Sequence, residues 1–253
     1  MYIKFTKRIA VLIFLLTIFF LFCLPNINLL LNEPSIETNS KTSLKTKLNN
    51  LNKILDDEFL ILVNKENPLS DDYVAKNIVE SKIKFISYIT TTKLNNIARD
   101  NAITMFNDAK RDGITLLGAS GYRSNSIQKN LFNENIKALG LEEALKYSAP
   151  PGTSEHETGL ALDIVSTEHK DLTEKFENTK AFKWLKDNSY KYGFILRYPK
   201  DKVSITKYSY EPWHYRYIGS TNAERIYNNN LTLEEYISSI NEEIHYLKST
   251  LND

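Results

Sequence analysis

The sequence predicts an α+β domain: a small, mainly antiparallel sheet with helices packed around it. Three observations carry this. Leu160-Ala161-Leu162-Asp163-Ile164-Val165 alternates apolar and other positions as a strand does. Ile114 to Ser120 and Phe194-Ile195-Leu196 have the length and composition of further short strands. From Thr92 to Arg111, Leu94, Ile97, Ala98, Ala102, Met105, Phe106 and Ala109 recur at three- and four-residue steps, which is the apolar stripe of an amphipathic helix.

With 253 residues, 42% hydrophobic and 25% charged, the chain can bury one good-sized core and still carry appendages. A net charge of +1 provides no basic face for nucleic acid, which is set aside as a partner.

Lys4, Lys7 and Arg8 precede an uncharged run from Ile9 to Leu24, apolar but for Thr17, closed by Pro25. Basic residues before an apolar run mean translocation with the N-terminus inside. Extended through Leu31, the run reaches the roughly 20 residues that cross a bilayer. No small-x-small cleavage site follows it, so residues 9–31 are expected to form an uncleaved signal anchor, with 1–8 cytoplasmic. The lone Cys23 lies inside this run, which removes disulfides from the exported part. Residues 32–55 read as a polar tether, with a short helix near Leu48 to Leu55, and 56–253 as the domain.

Phe59-Leu60-Ile61-Leu62-Val63 opens the domain as a buried strand or loop. Asp112-Gly113 stops the helix that begins near Thr92, and the strand after it delivers Arg123 at its end. Gln128 to Tyr147 is expected to be helical, and Pro150-Pro151-Gly152 turns the chain into the next strand. A polar excursion from Ser166 to Thr179 leads to a helix at Ala181 to Tyr192, stopped by Gly193. A strand from Tyr210 to Tyr217 and a helix from Leu233 to about Leu247 complete the domain.

Two stretches concentrate the chemistry. His156 is in the loop entering the strand that carries Asp163, and His214 lies in Glu211-Pro212-Trp213-His214. Two imidazoles and one carboxylate are a ligand set that zinc accepts while keeping a position open for water. Glu211, three residues before His214, is then in reach of that position as a general base. The competing reading makes both histidines ordinary packed or surface residues. The other two, His169 and His245, sit among charges or on a polar helix. Trp213 reads equally as a floor under such a site or as core.

Four stretches in order, Gly121-Tyr122-Arg123-Ser124, Ser154-Glu155-His156 through Asp163, Tyr192 through Pro199, and Glu211-Pro212-Trp213-His214, resemble the D-alanyl-D-alanine carboxypeptidase family of zinc peptidases. That family includes VanY-type D,D-carboxypeptidases and L,D-carboxypeptidases that trim peptidoglycan stem peptides. The resemblance runs from about Ile61 to about Tyr236 and implies a hedgehog-like zinc fold. It further implies zinc held by His156, Asp163 and His214, Glu211 as catalytic base, and Arg123 polarising the scissile carbonyl. Gln128 and Ser154 match positions lining the substrate pocket; for Ser154, capping or loop hydrogen bonding is an equal alternative. Relatives usually carry a Thr-Gly pair a few residues before the last motif, whereas Thr206 is followed here by Lys207, so the loop beside the pocket is expected to differ.

The expected reaction is hydrolysis of the C-terminal D-alanine from peptidoglycan stem peptides, by a domain held outside a bacterial, Gram-positive membrane. The alternatives are a zinc-stabilised wall-binding module without turnover and a peptidoglycan endopeptidase.

Overall fold

The computed structural model describes residues 40–87 and 89–252. The signal anchor expected at 9–31 and the first part of the tether lie outside these residues. Among the described residues no helix is long and apolar enough to cross a membrane. The described residues from Leu44 onward form one compact unit.

The helix expected near Leu48 to Leu55 begins earlier, as α1 (Ser40–Leu55), so residues 40–55 of the expected tether are helical. Leu44, Leu48, Leu51 and Leu55 recur at helical spacing and join a core shared with α7 (Ser220–Asn229) and α8 (Leu233–Asn252). In α8, Leu233, Tyr236, Ile240, Ile244 and Leu247 form the buried stripe. Each such aliphatic side chain taken fully from water contributes about 1.5–3 kcal/mol. A reciprocal cap starts α8: Thr232 Oγ1 accepts from Glu235 N at 3.1 Å, and Glu235 Oε2 accepts from Thr232 N at 2.8 Å.

Phe59-Leu60 falls in a 3-10 turn (Glu58–Leu60) and a loop, with Leu60 and Val63 buried. β1 (Ile78–Glu80) and β2 (Lys93–Asn95) pair antiparallel. The helix expected from Thr92 begins later, as α2 (Asn96–Arg111), because Asn95 Oδ1 caps the amides of Ile97 and Ala98. β3 (Leu116–Ser120), β4 (Ala161–Ser166), β6 (His214–Tyr217) and β5 (Phe194–Leu196) form an antiparallel sheet in the order β3-β4-β6-β5. A second core packs this sheet against α2 and α5 (Lys180–Asn188).

The helix expected over Gln128 to Tyr147 is two, α3 (Asn125–Leu139) and α4 (Leu141–Tyr147). Gly140 separates them at φ +80°, a backbone state that costs little only for glycine. The last strand is also shorter than expected. Pro212 has no N–H to give a ladder, and Glu211 to His214 forms a turn closed by His214 N donating to Glu211 O at 3.2 Å. A four-residue helix, α6 (Val203–Thr206), precedes that turn and ends at Lys207, whose φ is +60°. The lysine therefore takes the left-handed backbone that a glycine would take there.

Candidate metal centre and active cleft

β4 is the middle of the site. Asp163 lies directly opposite His214 of β6 on one side and Ser120 of β3 on the other. His156 comes from a 3-10 turn (Glu155–Thr158) that ends at Gly159. Gly159 has φ +74°, and a Cβ there would stand 3.1 Å from the backbone N of Asn95, so the turn into β4 favours glycine. The segment just after β3 fixes this turn twice: Gly121 O lies 2.8 Å from His156 Nδ1, and Arg123 N donates to His156 O at 3.1 Å.

The three candidate ligands are buried, and their donor atoms all lie within 4.8 Å of one another. His156 Nε2 is 3.4 Å from Asp163 Oδ2, and His214 Nδ1 is 3.2 Å from Asp163 Oδ1. Two ligands about 2.0–2.1 Å from a tetrahedral ion stand about 3.3–3.4 Å apart, so these separations suit zinc. Although His214 Nδ1 is close, Asp163 Oδ1 has no hydrogen-bond partner of proper geometry. A buried carboxylate with an unsatisfied oxygen and one imidazole beside each of its oxygens fits a cation held among the three. The remaining imidazole nitrogens have their own partners, Gly121 O for His156 and Glu155 Oε2, at 3.3 Å, for His214.

Glu211 Oε2 is 3.6 Å from His214 Nδ1, and its side chain is 21% exposed to the cleft. Burial, helped by the Asp163 charge, pushes its carboxyl up to about 7. Burial and the Arg123 guanidinium lower His156 to about 4. For His214 burial works the other way, but the Asp163 and Glu155 carboxylates outweigh it and hold the imidazole at about 9. Burial also lowers Arg123, against the pull of Asp163, Glu211 and Glu157.

All seven side chains singled out in the sequence, Arg123, Gln128, Ser154, His156, Asp163, Glu211 and His214, line one cleft of about 540 Å³. Arg123 Nε has no partner. Gln128 donates from Nε2 to Ala149 O at 2.7 Å, leaving its buried Oε1 unpaired. Ser154 makes no side-chain capping bond. Trp213 both lines the cleft and packs on the sheet core, so the two readings of it coincide.

The sequence reading did not single out the charges behind His214. Glu155, Arg197 and Arg216 have fully buried side chains, and both arginines bond Glu155. The arginines hold Glu155 well below the usual carboxylate range despite its burial. One signal was available: in a strand of period two, Arg216 shares a face with His214.

Comparison with known proteins places this geometry. The VanY family, D-alanyl-D-alanine carboxypeptidase, matches residues 91–220. YodJ of Bacillus subtilis, named as a presumed carboxypeptidase, is 42% identical over 213 residues, 83% of this chain and 78% of its own. The LdcB LD-carboxypeptidase structure, which addresses peptidoglycan recognition, superposes with a TM-score of 0.68 at 44% identity, covering 72% of this chain and 87% of that one. The vancomycin-resistance D,D-pentapeptidase VanY in complex with Zn(II) superposes at 0.60 and 34% identity, covering 71% and 99%. VanYB in complex with D-alanine-D-alanine gives 0.59 and 35%, covering 71% and 97%.

Proposed function

This chain belongs to the D-alanyl-D-alanine carboxypeptidase (VanY) family, and from that premise we propose that it is a zinc-dependent carboxypeptidase releasing the terminal D-alanine of peptidoglycan stem peptides. The observation that carries this is Glu211, an unligated carboxylate beside a three-donor site in the cleft. A purely structural metal site has no use for it.

His156, Asp163 and His214 would hold the zinc, which when bound supplies Lewis acidity and makes water nucleophilic near neutral pH. Glu211 takes the proton of the attacking water at its carboxylate and hands it to the departing amine. Arg123 brings a fixed positive charge with an unpaired Nε–H to the oxygen that becomes negative as the carbonyl is attacked. Gln128, with Nε2 committed to Ala149, presents Oε1 as an acceptor for a substrate N–H.

A second reading, cleavage of the L,D bond of a tetrapeptide, is supported by the higher identity to LdcB, 44% against 34% for VanY. The test is mass spectrometry of pentapeptide and tetrapeptide stems incubated with the zinc-loaded chain, with and without chelator. Chelator-sensitive loss of alanine from the pentapeptide alone supports the D,D reading, and from the tetrapeptide the L,D reading. No loss from either, with zinc bound, refutes both in favour of a binding module or an endopeptidase. The basic and apolar run at the N-terminus supports a location outside the membrane, which protease accessibility in intact cells tests.

A further inference from the structure

Glu155 Oε1 accepts from Arg197 Nε at 2.7 Å and from Arg216 Nη1 at 2.7 Å, while Oε2 faces His214 Nε2 at 3.3 Å. Each arginine is gripped in turn by a segment remote from the sheet. Glu234 of α8 takes Arg197 in a two-pronged pair at 2.8 and 2.6 Å. The carbonyls of Phe59 and Ile61 take Arg216 Nη2 at 2.9 and 2.7 Å. Phe59, Ile61 and Glu234 all lie outside the residues 91–220 matched by the family.

We propose that Glu155 is the positioning residue of the metal centre and that Arg197, Arg216 and Glu234 form the frame that positions it, so that the segment before β1 and helix α8 are parts of the metal site. The inference rests on reading the site as a zinc site. An imidazole can give Nδ1 to a metal only if its hydrogen stays on Nε2, and an acceptor at Nε2 keeps it there. A lone carboxylate could rotate away from that nitrogen. Two guanidinium groups on the other oxygen fix its plane. Stability alone is a poor account of the arrangement, because apolar residues of similar volume often serve as well as a buried ion set.

The experiment measures zinc affinity by chelator competition, together with thermal unfolding of the metal-free protein, for the 253-residue chain and three variants. Glu155→Gln keeps an acceptor but loses the charge. Glu234→Gln loosens Arg197 from the far side. Glu235→Gln, the control, disturbs the cap of α8 and its pair with Lys202 without touching Arg197. The expected result is a zinc Kd raised about 10–100-fold in Glu155→Gln and about 3–10-fold in Glu234→Gln. In Glu235→Gln the melting temperature falls while zinc Kd stays at the wild-type value. Should Glu155→Gln fail to fold, Glu234→Gln against Glu235→Gln decides. Equal Kd in those two overturns the proposal, as does wild-type Kd in a folded Glu155→Gln. A wild-type chain that binds no zinc overturns the zinc reading itself.

Discussion

Replacing Glu211 by Gln tests the chemistry most directly. The change keeps the size of the side chain and removes its basicity. Its expected cost depends on whether another base can stand in, and the ionisable groups packed around the donor set are already committed. Asp163, His156 and His214 are the candidate metal ligands, and Glu155 is pinned between two arginines. The full contribution of a positioned base should therefore be lost, about 10²–10⁴-fold in kcat, or about 3–5 kcal/mol of activation free energy. Zinc affinity should move only a few-fold, since Glu211 is outside the donor set.

The pH profile adds a second signature. Burial raises the Glu211 carboxyl to about 7, and the base must be ionised to accept a proton. Activity should then fall as pH drops through that pKa, and a cation in the site moves the acid limb below 7 by favouring the ionised form. The residual activity of Glu211→Gln should lack this limb. Stopped assays of alanine release from pH 5 to 9, with zinc content measured on each sample, read both effects. A zinc-loaded variant within about tenfold of wild type, with the acid limb intact, would remove Glu211 from the mechanism.

The other predictions concern the residues around it. Arg123→Lys keeps a charge but loses the planar fork, and should lower kcat about 10²–10³-fold with zinc content unchanged; a loss confined to KM would make Arg123 a binding group only. Arg216→Met removes one of the two cations on Glu155 and leaves three carbonyls, those of Phe59, Ile61 and Tyr217, without this donor. Breaking such a buried pair costs about 3–5 kcal/mol, which calorimetry should read as a melting point about 6–20 °C lower. Lys207→Gly should stabilise the fold by about 0.5–1 kcal/mol, because the φ of +60° strains lysine and the extra freedom of glycine in the unfolded chain offsets only part of that. A lower melting point would mean that the lysine side chain packs in a way that outweighs the strain.

What the sequence revealed, and what it hid, follows from where each signal lives. Asp163 was legible as the one charged residue in a short apolar run, β4, whose every position is buried, and α2 because its stripe repeats over four turns. The break at Gly140 was hidden because an isolated glycine also occurs within helices, and only φ distinguishes the two. The first half of α1 was hidden by the polar residues between its leucines, whose burial depends on α8, nearly 200 residues further on. The frame behind His214 was hidden for a deeper reason. Charged residues are usually solvated, so Glu155, Arg197 and Arg216 read as surface until the fold shows them at 0% side-chain exposure. That burial is itself informative. Desolvating three charges gains little stability over an apolar cluster of the same volume. An apolar cluster, however, has no oxygen to offer His214 Nε2, and that contact is what the charged arrangement provides.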